Sequence, residues 1–206
     1  KVKLTLMIDS IKQKLEKLNL HEPTSYKKAG VFVGILYFDE YKNDPEILFT
    51  KRSNKVSTHS GETSFPGGKW EDGDKDLYHT SLRESFEEIS LDVANVSKLG
   101  QLDYLISRHK IEVHPYVGLI ESKQNLIPNE EIAEIFSVPL SYLLNHDNVI
   151  ENELERDNMK IIVPSWVYNG HRIWGLTAMI TADFLNICFE ANIGTDLRVI
   201  RKHYDN

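Results

Sequence analysis

Cysteine is nearly absent from this chain. The single Cys188 excludes an internal disulfide and any zinc site built from several cysteines. Its place in the apolar run ADFLNICFEA marks it as buried packing. No apolar run reaches the roughly 18–20 residues that a membrane-spanning helix needs, so no membrane partner is expected. A charged-then-apolar leader is also missing; the chain starts at Lys1 rather than Met, and the cytoplasm is the expected location. Basic residues are outnumbered, with 24 Lys and Arg against 31 Asp and Glu for a net charge of −7. No global positive field therefore gathers nucleic acid, and a small anionic ligand needs a local basic pocket. Internal repeats, low-complexity tracts and linkers are lacking too. That leaves one domain over residues 1–206, long enough to bury a core without disulfides, as a monomer or a homodimer.

What is present is an alternation of helical and extended patterns. In LTLMIDSIKQKLEKLN, Leu4, Ile8, Ile11, Leu15 and Leu18 recur at helical spacing and predict an amphipathic opening helix over about 4–18. AGVFVGILYF reads as a buried strand and PEILFTKRS as its neighbour, with DEYKND as the turn between them. From Asn54 to Asp74 the pattern breaks into Ser, Gly and charged residues, a long loop of the kind that carries function. A helix is predicted from about Asp76 to Ser90, with Asp74 or Asp76 as its N-cap. KLGQLDYLIS and KIEVHPYVGLIES read as strands, and IPNEEIAEIFSVPLSYLL as a turn, a short strand and a helix start. KIIVPSWVYNGHRIWGL resembles a hairpin about Asn169-Gly170. TAMITADFLNICFEAN closes the chain as an apolar helix, with Gly194 just beyond it. The class is mixed α/β (α+β).

The segment LRESFEEIS places Glu84, Glu87 and Glu88 three and four residues apart on a helix, where like charges cost about 0.2–0.5 kcal/mol per pair. Turning the helix by about 100° per residue puts Tyr78, Leu82, Ser85 and Ile89 on the core stripe. Glu84 and Glu88 stack on a neighbouring flank, with Glu87 beside them, and Arg83 lies four residues before Glu87, in position to pair with it. Three glutamates alone also fit a solvated acidic face. The preceding loop, GETSFPGGKWEDGD, turns the reading toward a site for Mg²⁺ or Mn²⁺, hard cations that favour carboxylate oxygen. Gly67 and Gly68 let backbone carbonyls and amides come close to those carboxylates.

These residues resemble the box of the Nudix hydrolases: a glycine, five residues, a glutamate, seven residues, then Arg-Glu-apolar-x-Glu-Glu-x-Gly-apolar. Here the run is Gly68, five residues, Asp74, eight residues, then Arg83 to Leu91. The departures are Asp74, one inserted residue, Ser85 and Ser90. A second pattern, LFTKRSNKVSTHSGETSFPGG, is similar to the signature of the coenzyme A diphosphatase branch. It differs at Phe49 for Leu and at Ser57 for the second Arg. That branch also tolerates Asp at the Asp74 position and the extra residue. EIFSVPLSYLL and IWGLTAMI look like its later segments, so the resemblance covers most of the chain, with a core at about 29–193. It implies the Nudix fold, a mixed β-sheet sandwiched between helices, with extra N- and C-terminal helices.

The resemblance further implies metal-dependent hydrolysis of the diphosphate of coenzyme A or acyl-CoA. Glu84, Glu87, Glu88 and the Gly68 carbonyl would hold Mg²⁺ or Mn²⁺, and Arg83 would orient Glu87. The general base falls to Glu84 or to a later carboxylate, Glu131, with Glu130 close behind. Substrate contacts fall to Arg52, Lys51, Lys55, His59, Gly67 and Lys69, with Arg52 preferred over Lys51 because strand residues alternate faces. Ser57 removes a charge that could read the 3′-phosphate; either Lys55 or His59 compensates, or the substrate is another nucleoside diphosphate such as NADH or ADP-ribose. A non-catalytic ligand sensor on the same fold is the rival from another class. A capped-RNA module is disfavoured by the acidic balance.

Other motifs fail on inspection. DGDKD lacks the calcium loop's glycine, where Leu77 stands, and its bidentate glutamate, where Arg83 stands. FPGGKW is no P-loop, because Thr63 and Trp70 occupy defining positions. His109 and His114 lack helical ligand spacing, and Trp166 and Trp174 read as core or pocket wall.

Overall fold

The computed structural model of the chain describes residues 2–54, 61–156 and 159–196. Helix α1 (Val2–Glu16) leads into β1 (Lys27–Leu36) and β2 (Glu46–Arg52). Two short strands, β3 (Thr63–Ser64) and β4 (Gly67–Lys69), precede helix α2 (Leu77–Ile89). Strands β5 (Val96–Gln101), β6 (Leu105–Ile106), β7 (Ile111–Ile120) and β8 (Ile132–Pro139) follow, then the short helix α3 (Leu140–Leu144). The chain continues through β9 (Ile150–Arg156), β10 (Met159–Tyr168), β11 (His171–Ile173) and helix α4 (Gly175–Phe189).

From Ala29 onward strand β1 is apolar because both of its faces are covered. Val33 and Ile35 enter one apolar cluster together with Ile11 and Leu15 of α1 and Phe184 and Leu185 of α4. Phe32 and Leu36, on the other face, join Ile89 of α2. β1 and β7 run parallel from Lys27 opposite Ile111 to Leu36 opposite Ile120. A parallel pair needs a long crossover, and α2 lies within it. On the far edge of β1, β2 pairs at one end through Ile35 and Ile47, and β4 at the other through Gly30 and Gly68. β8 then pairs along β2 from Glu46 to Arg52. The result is the mixed sheet between helices that the sequence leads one to expect, with β9, β10 and β11 forming a second, three-stranded sheet.

The approach of α2 to the sheet is set by Gly30, where a Cβ would stand 2.2 Å from the Leu77 carbonyl oxygen. Such closeness selects small residues on the helix. Its buried face consists of Thr80, Ser81, Ser85, Glu88 and Ile89, while Tyr78 and Leu82 lie at the margin. Ser85 and Ile89 of the predicted stripe are buried as expected, but the buried face turns toward Thr80 and Ser81 and carries Glu88 inward. Asp76, not Asp74, caps the helix by accepting from the His79 amide at 2.7 Å. Ser90 ends it in the left-handed region, with φ 56. This is where the box pattern has its glycine, the residue that takes that conformation without a Cβ penalty.

The left-handed cap of α4 is Glu190, φ 56, rather than Gly194. Gly194 instead lies against β9, where a Cβ would meet Glu151 Oε1 at 2.5 Å. β9 itself carries only Ile150 and Leu154 as apolar residues among its glutamates, too sparse a pattern to read as a strand. The hairpin at Asn169-Gly170 does form, with φ 49 and 82, both positive as a type I′ turn requires. Cys188 is buried, which pushes its thiol up to about 12, and Trp166 is fully buried with its indole N–H on the Leu143 carbonyl. No helix among the described residues is long and apolar enough to cross a membrane.

Candidate active site

Arg83 is the hub of the acidic flank of α2. Its Nε and Nη2 donate to the two oxygens of Asp74 at 3.0 and 3.1 Å, a two-pronged grip. Nη2 also donates to the Lys69 carbonyl at 3.1 Å, and Nη1 to Glu84 at 3.2 Å. The anticipated pair with Glu87 is present but is the longest of these contacts, at 3.3 Å. Asp74 leaves only 2% of its side chain exposed and accepts from Thr80 Oγ1 as well. The Arg83 guanidinium, aided by Thr80, the Glu71 amide and His79, holds the Asp74 carboxyl well below the usual carboxylate range despite its burial. Asp74→Asn should therefore destabilise the protein by about 2–3 kcal/mol at neutral pH in urea unfolding. Because the folded-state pKa is depressed, that contribution is present above the ordinary carboxylate range and lost in acid. The gap between variant and wild type should narrow as pH falls below about 4.

The two glycines of β4 each meet a carboxylate. A Cβ on Gly68 would lie 2.3 Å from Glu84 Oε1 and 2.4 Å from its Cδ, so the carboxylate rests against the bare α-carbon. Gly67 has φ 151, and a Cβ there would strike the Gly30 carbonyl at 2.4 Å. Its amide donates to Glu88 Oε2 at 3.0 Å. Glu88 leaves 6% of its side chain exposed, and burial pushes its carboxyl up to about 7 against the pull of the Gly67 amide and Arg52. Burial also raises Glu84, with Glu87 adding to the effect and Arg83 opposing it. Glu87 is half exposed.

Arg52, at the end of β2, joins this cluster to a second loop. Its Nη1 lies 3.5 Å from Glu88 and its Nη2 donates to Glu131 at 3.2 Å, while its buried Nε has no partner. The Ser53 amide donates to the Glu131 carbonyl at 2.7 Å, and the Asn129 amide to the Glu88 carbonyl at 2.9 Å, which fixes that loop to the end of α2. Leu48 packs on the α2 side of β2 and Phe49 on the other, so alternation assigns Lys51 to the face away from Arg52.

A family model for the NUDIX domain matches residues 29–156, more than half of the chain. The chain belongs to the Nudix hydrolase family. It is 36% identical over 176 residues to Nudix hydrolase 15, mitochondrial, of Arabidopsis thaliana, covering 82% of this chain and 62% of that protein. It is 37% identical over 142 residues to the mitochondrial coenzyme A diphosphatase NUDT8 of Mus musculus, covering 66% of this chain and 68% of the relative. Among solved structures, a MutT/nudix family protein from Enterococcus faecalis shares the fold, with a TM-score of 0.52 at 17% identity over 83% of this chain and 65% of that one. The chain thus spans somewhat under two thirds of the Arabidopsis relative's length.

The Nudix box residues Gly68, Asp74, Arg83, Glu84, Glu87 and Glu88 are all brought to one flank of α2, and Arg52 and Glu131 join them across the sheet. Lys55, Ser57 and His59 lie outside the described residues. The Lys69 carbonyl accepts from Arg83, and its side chain is exposed. Among the described residues no three His, Cys, Asp or Glu side chains converge on one point as a metal site; Glu84 and Glu87 lean on Arg83, and Glu88 on Gly67 and Arg52. The donor set nevertheless fits a hard divalent cation, since Glu84, Glu87, Glu88 and the Gly68 carbonyl offer only oxygen, and the bare Gly68 α-carbon is what lets the Glu84 carboxylate lie against that backbone. Two features escape a reading of the sequence: the Asp74–Arg83 grip, which spans nine residues and one loop, and the Arg52 link to Glu88 and Glu131, which spans the fold.

Proposed function

We propose that the chain hydrolyses the diphosphate linkage of coenzyme A or acyl-CoA, giving 4′-phosphopantetheine or its acyl form and adenosine 3′,5′-bisphosphate. The observation that carries this reading is the seating of Glu84 against Gly68 and of Glu88 on the Gly67 amide, with Arg52 linking Glu88 to Glu131. The curated relative named a coenzyme A diphosphatase supports the substrate class. Glu84, Glu87, Glu88 and the Gly68 carbonyl would hold Mg²⁺ or Mn²⁺, and such an ion, when bound, neutralises diphosphate oxygens and lowers the pKa of a coordinated water. Arg83, clamped by Asp74, positions Glu84 and Glu87. Arg52 presents a guanidinium to phosphate and keeps Glu131 at the cluster. The proton of the attacking water falls to Glu84 or to Glu131.

Hydrolysis of coenzyme A and of its 3′-dephospho form should be compared, with products identified by mass spectrometry. Faster turnover of coenzyme A supports the assignment. Equal or reversed preference moves it to another nucleoside diphosphate, such as NADH or ADP-ribose, the reading that Ser57 favours. Binding without turnover of any of them makes the protein a ligand sensor.

A further inference from the structure

β4 ends at Lys69 with Trp70 just after it, and a cleft of about 600 Å³ opens there beside Tyr26, Lys27 and Lys28. The chain as a whole carries a net charge of −7, yet this cleft is lined by three lysines and one carboxylate, Asp76. That carboxylate is engaged in capping α2, accepting from the His79 amide at 2.7 Å. Lys28 is held in place by the Thr24 and Tyr26 carbonyls, at 2.9 and 3.4 Å, and lies 4.0 Å from Glu112. Lys27 and Lys69 are exposed, and neither has a carboxylate partner among the described residues.

Trp70 stands out among the tryptophans. It is 46% exposed, whereas Trp166 is fully buried and Trp174 packs against the main core. Its backbone is tied to β1, the amide donating to the Lys28 carbonyl at 3.1 Å, so the indole is displayed from a hydrogen-bonded position just after β4. An indole held in this way offers a face to a nucleobase, and two unpaired ammonium groups beside it offer charge to a phosphate. The cleft also adjoins the proposed chemistry. Trp70 lies two residues from Gly68, roughly 7 Å of extended chain, and the Lys69 carbonyl is already bound to Arg83.

We propose that this cleft is the subsite for the phosphorylated-nucleoside half of the substrate, with Trp70 stacked on the base and Lys27 and Lys69 meeting a phosphomonoester beyond the scissile diphosphate. The inference rests on the reading of the substrate as a nucleoside diphosphate derivative, and it supplies the charge that Ser57 lacks. Binding is measured without turnover, by calorimetry with adenosine 3′,5′-bisphosphate, AMP and 4′-phosphopantetheine. The bisphosphate should bind the wild type about tenfold more tightly than AMP, and both Trp70→Ala and the double variant Lys27→Ala/Lys69→Ala should weaken it at least tenfold. Binding of 4′-phosphopantetheine should be unaltered in both variants. Undiminished bisphosphate affinity in the variants, or none in the wild type, overturns the proposal. Coenzyme A turnover separates the two readings: a wild type that fails to hydrolyse it while the variants lose bisphosphate binding leaves the cleft standing and removes the proposed activity. A wild type that hydrolyses it while the variants bind normally removes the cleft alone.

Discussion

Glu88→Gln should lower turnover by about three orders of magnitude while leaving the far-UV circular dichroism unchanged. Glutamine keeps the shape of the side chain and an oxygen for the Gly67 amide, which donates at 3.0 Å. It removes the charge that the proposed ion site needs. The same change should stabilise the metal-free protein at alkaline pH. Burial raises the Glu88 carboxyl to about 7, so between about pH 4.5 and 7 the folded state keeps a proton that the unfolded state has released. Wild-type stability therefore falls as pH rises through that window, and the full penalty, on the order of 3 kcal/mol, is present above it. The glutamine variant escapes this. Its advantage in metal-free urea unfolding should be largest at pH 8 and should vanish toward pH 4.5. Turnover that survives the substitution would reduce the cluster to a structural ion network.

Gly68→Ala should reduce kcat by about a hundredfold with almost no change in melting temperature. The new Cβ would fall 2.3 Å from Glu84 Oε1. What must yield is the far end of a flexible side chain, so the backbone keeps its place and the displaced group is the carboxylate itself. A misplacement of about 1 Å is enough to cost that much rate. Loss of turnover accompanied by a large fall in melting temperature would instead mean that the glycine serves packing, as Gly30 does, where the obstructing atom is the Leu77 carbonyl oxygen. A hundredfold loss with normal thermal unfolding separates the two roles.

How much of this was legible in the sequence depends on the range of the interaction. The α2 segment, its acidic flank, the Asn169-Gly170 hairpin and the apolar β1 were readable, because each rests on neighbours a few residues away. The buried stripe of α2 was legible at Ser85 and Ile89 but not at Thr80 and Ser81, since apolar periodicity favours Tyr78 and Leu82 over the small residues that the close approach at Gly30 admits. β9 was missed because an edge strand with alternating glutamates carries little apolar signal. The arginine partners could be guessed only in part: Arg83 was assigned Glu87, four residues away, whereas its firm partner is Asp74 across the loop. His114, given no metal role from its spacing, lies 2.6 Å from the buried Glu112, whose other oxygen accepts from Thr24, so the pair fastens the α1–β1 connector to β7.

The clamp formed by Arg83 has a consequence for assembly. Crowded negative charge usually asks for an outside counter-ion before the chain can close around it, as in small metal-nucleated modules that stay unfolded when stripped. Here a guanidinium belonging to the helix itself occupies that office from the moment the loop docks. The Asp74–Arg83 grip thus supplies from within the chain part of the positive charge that the acidic flank calls for.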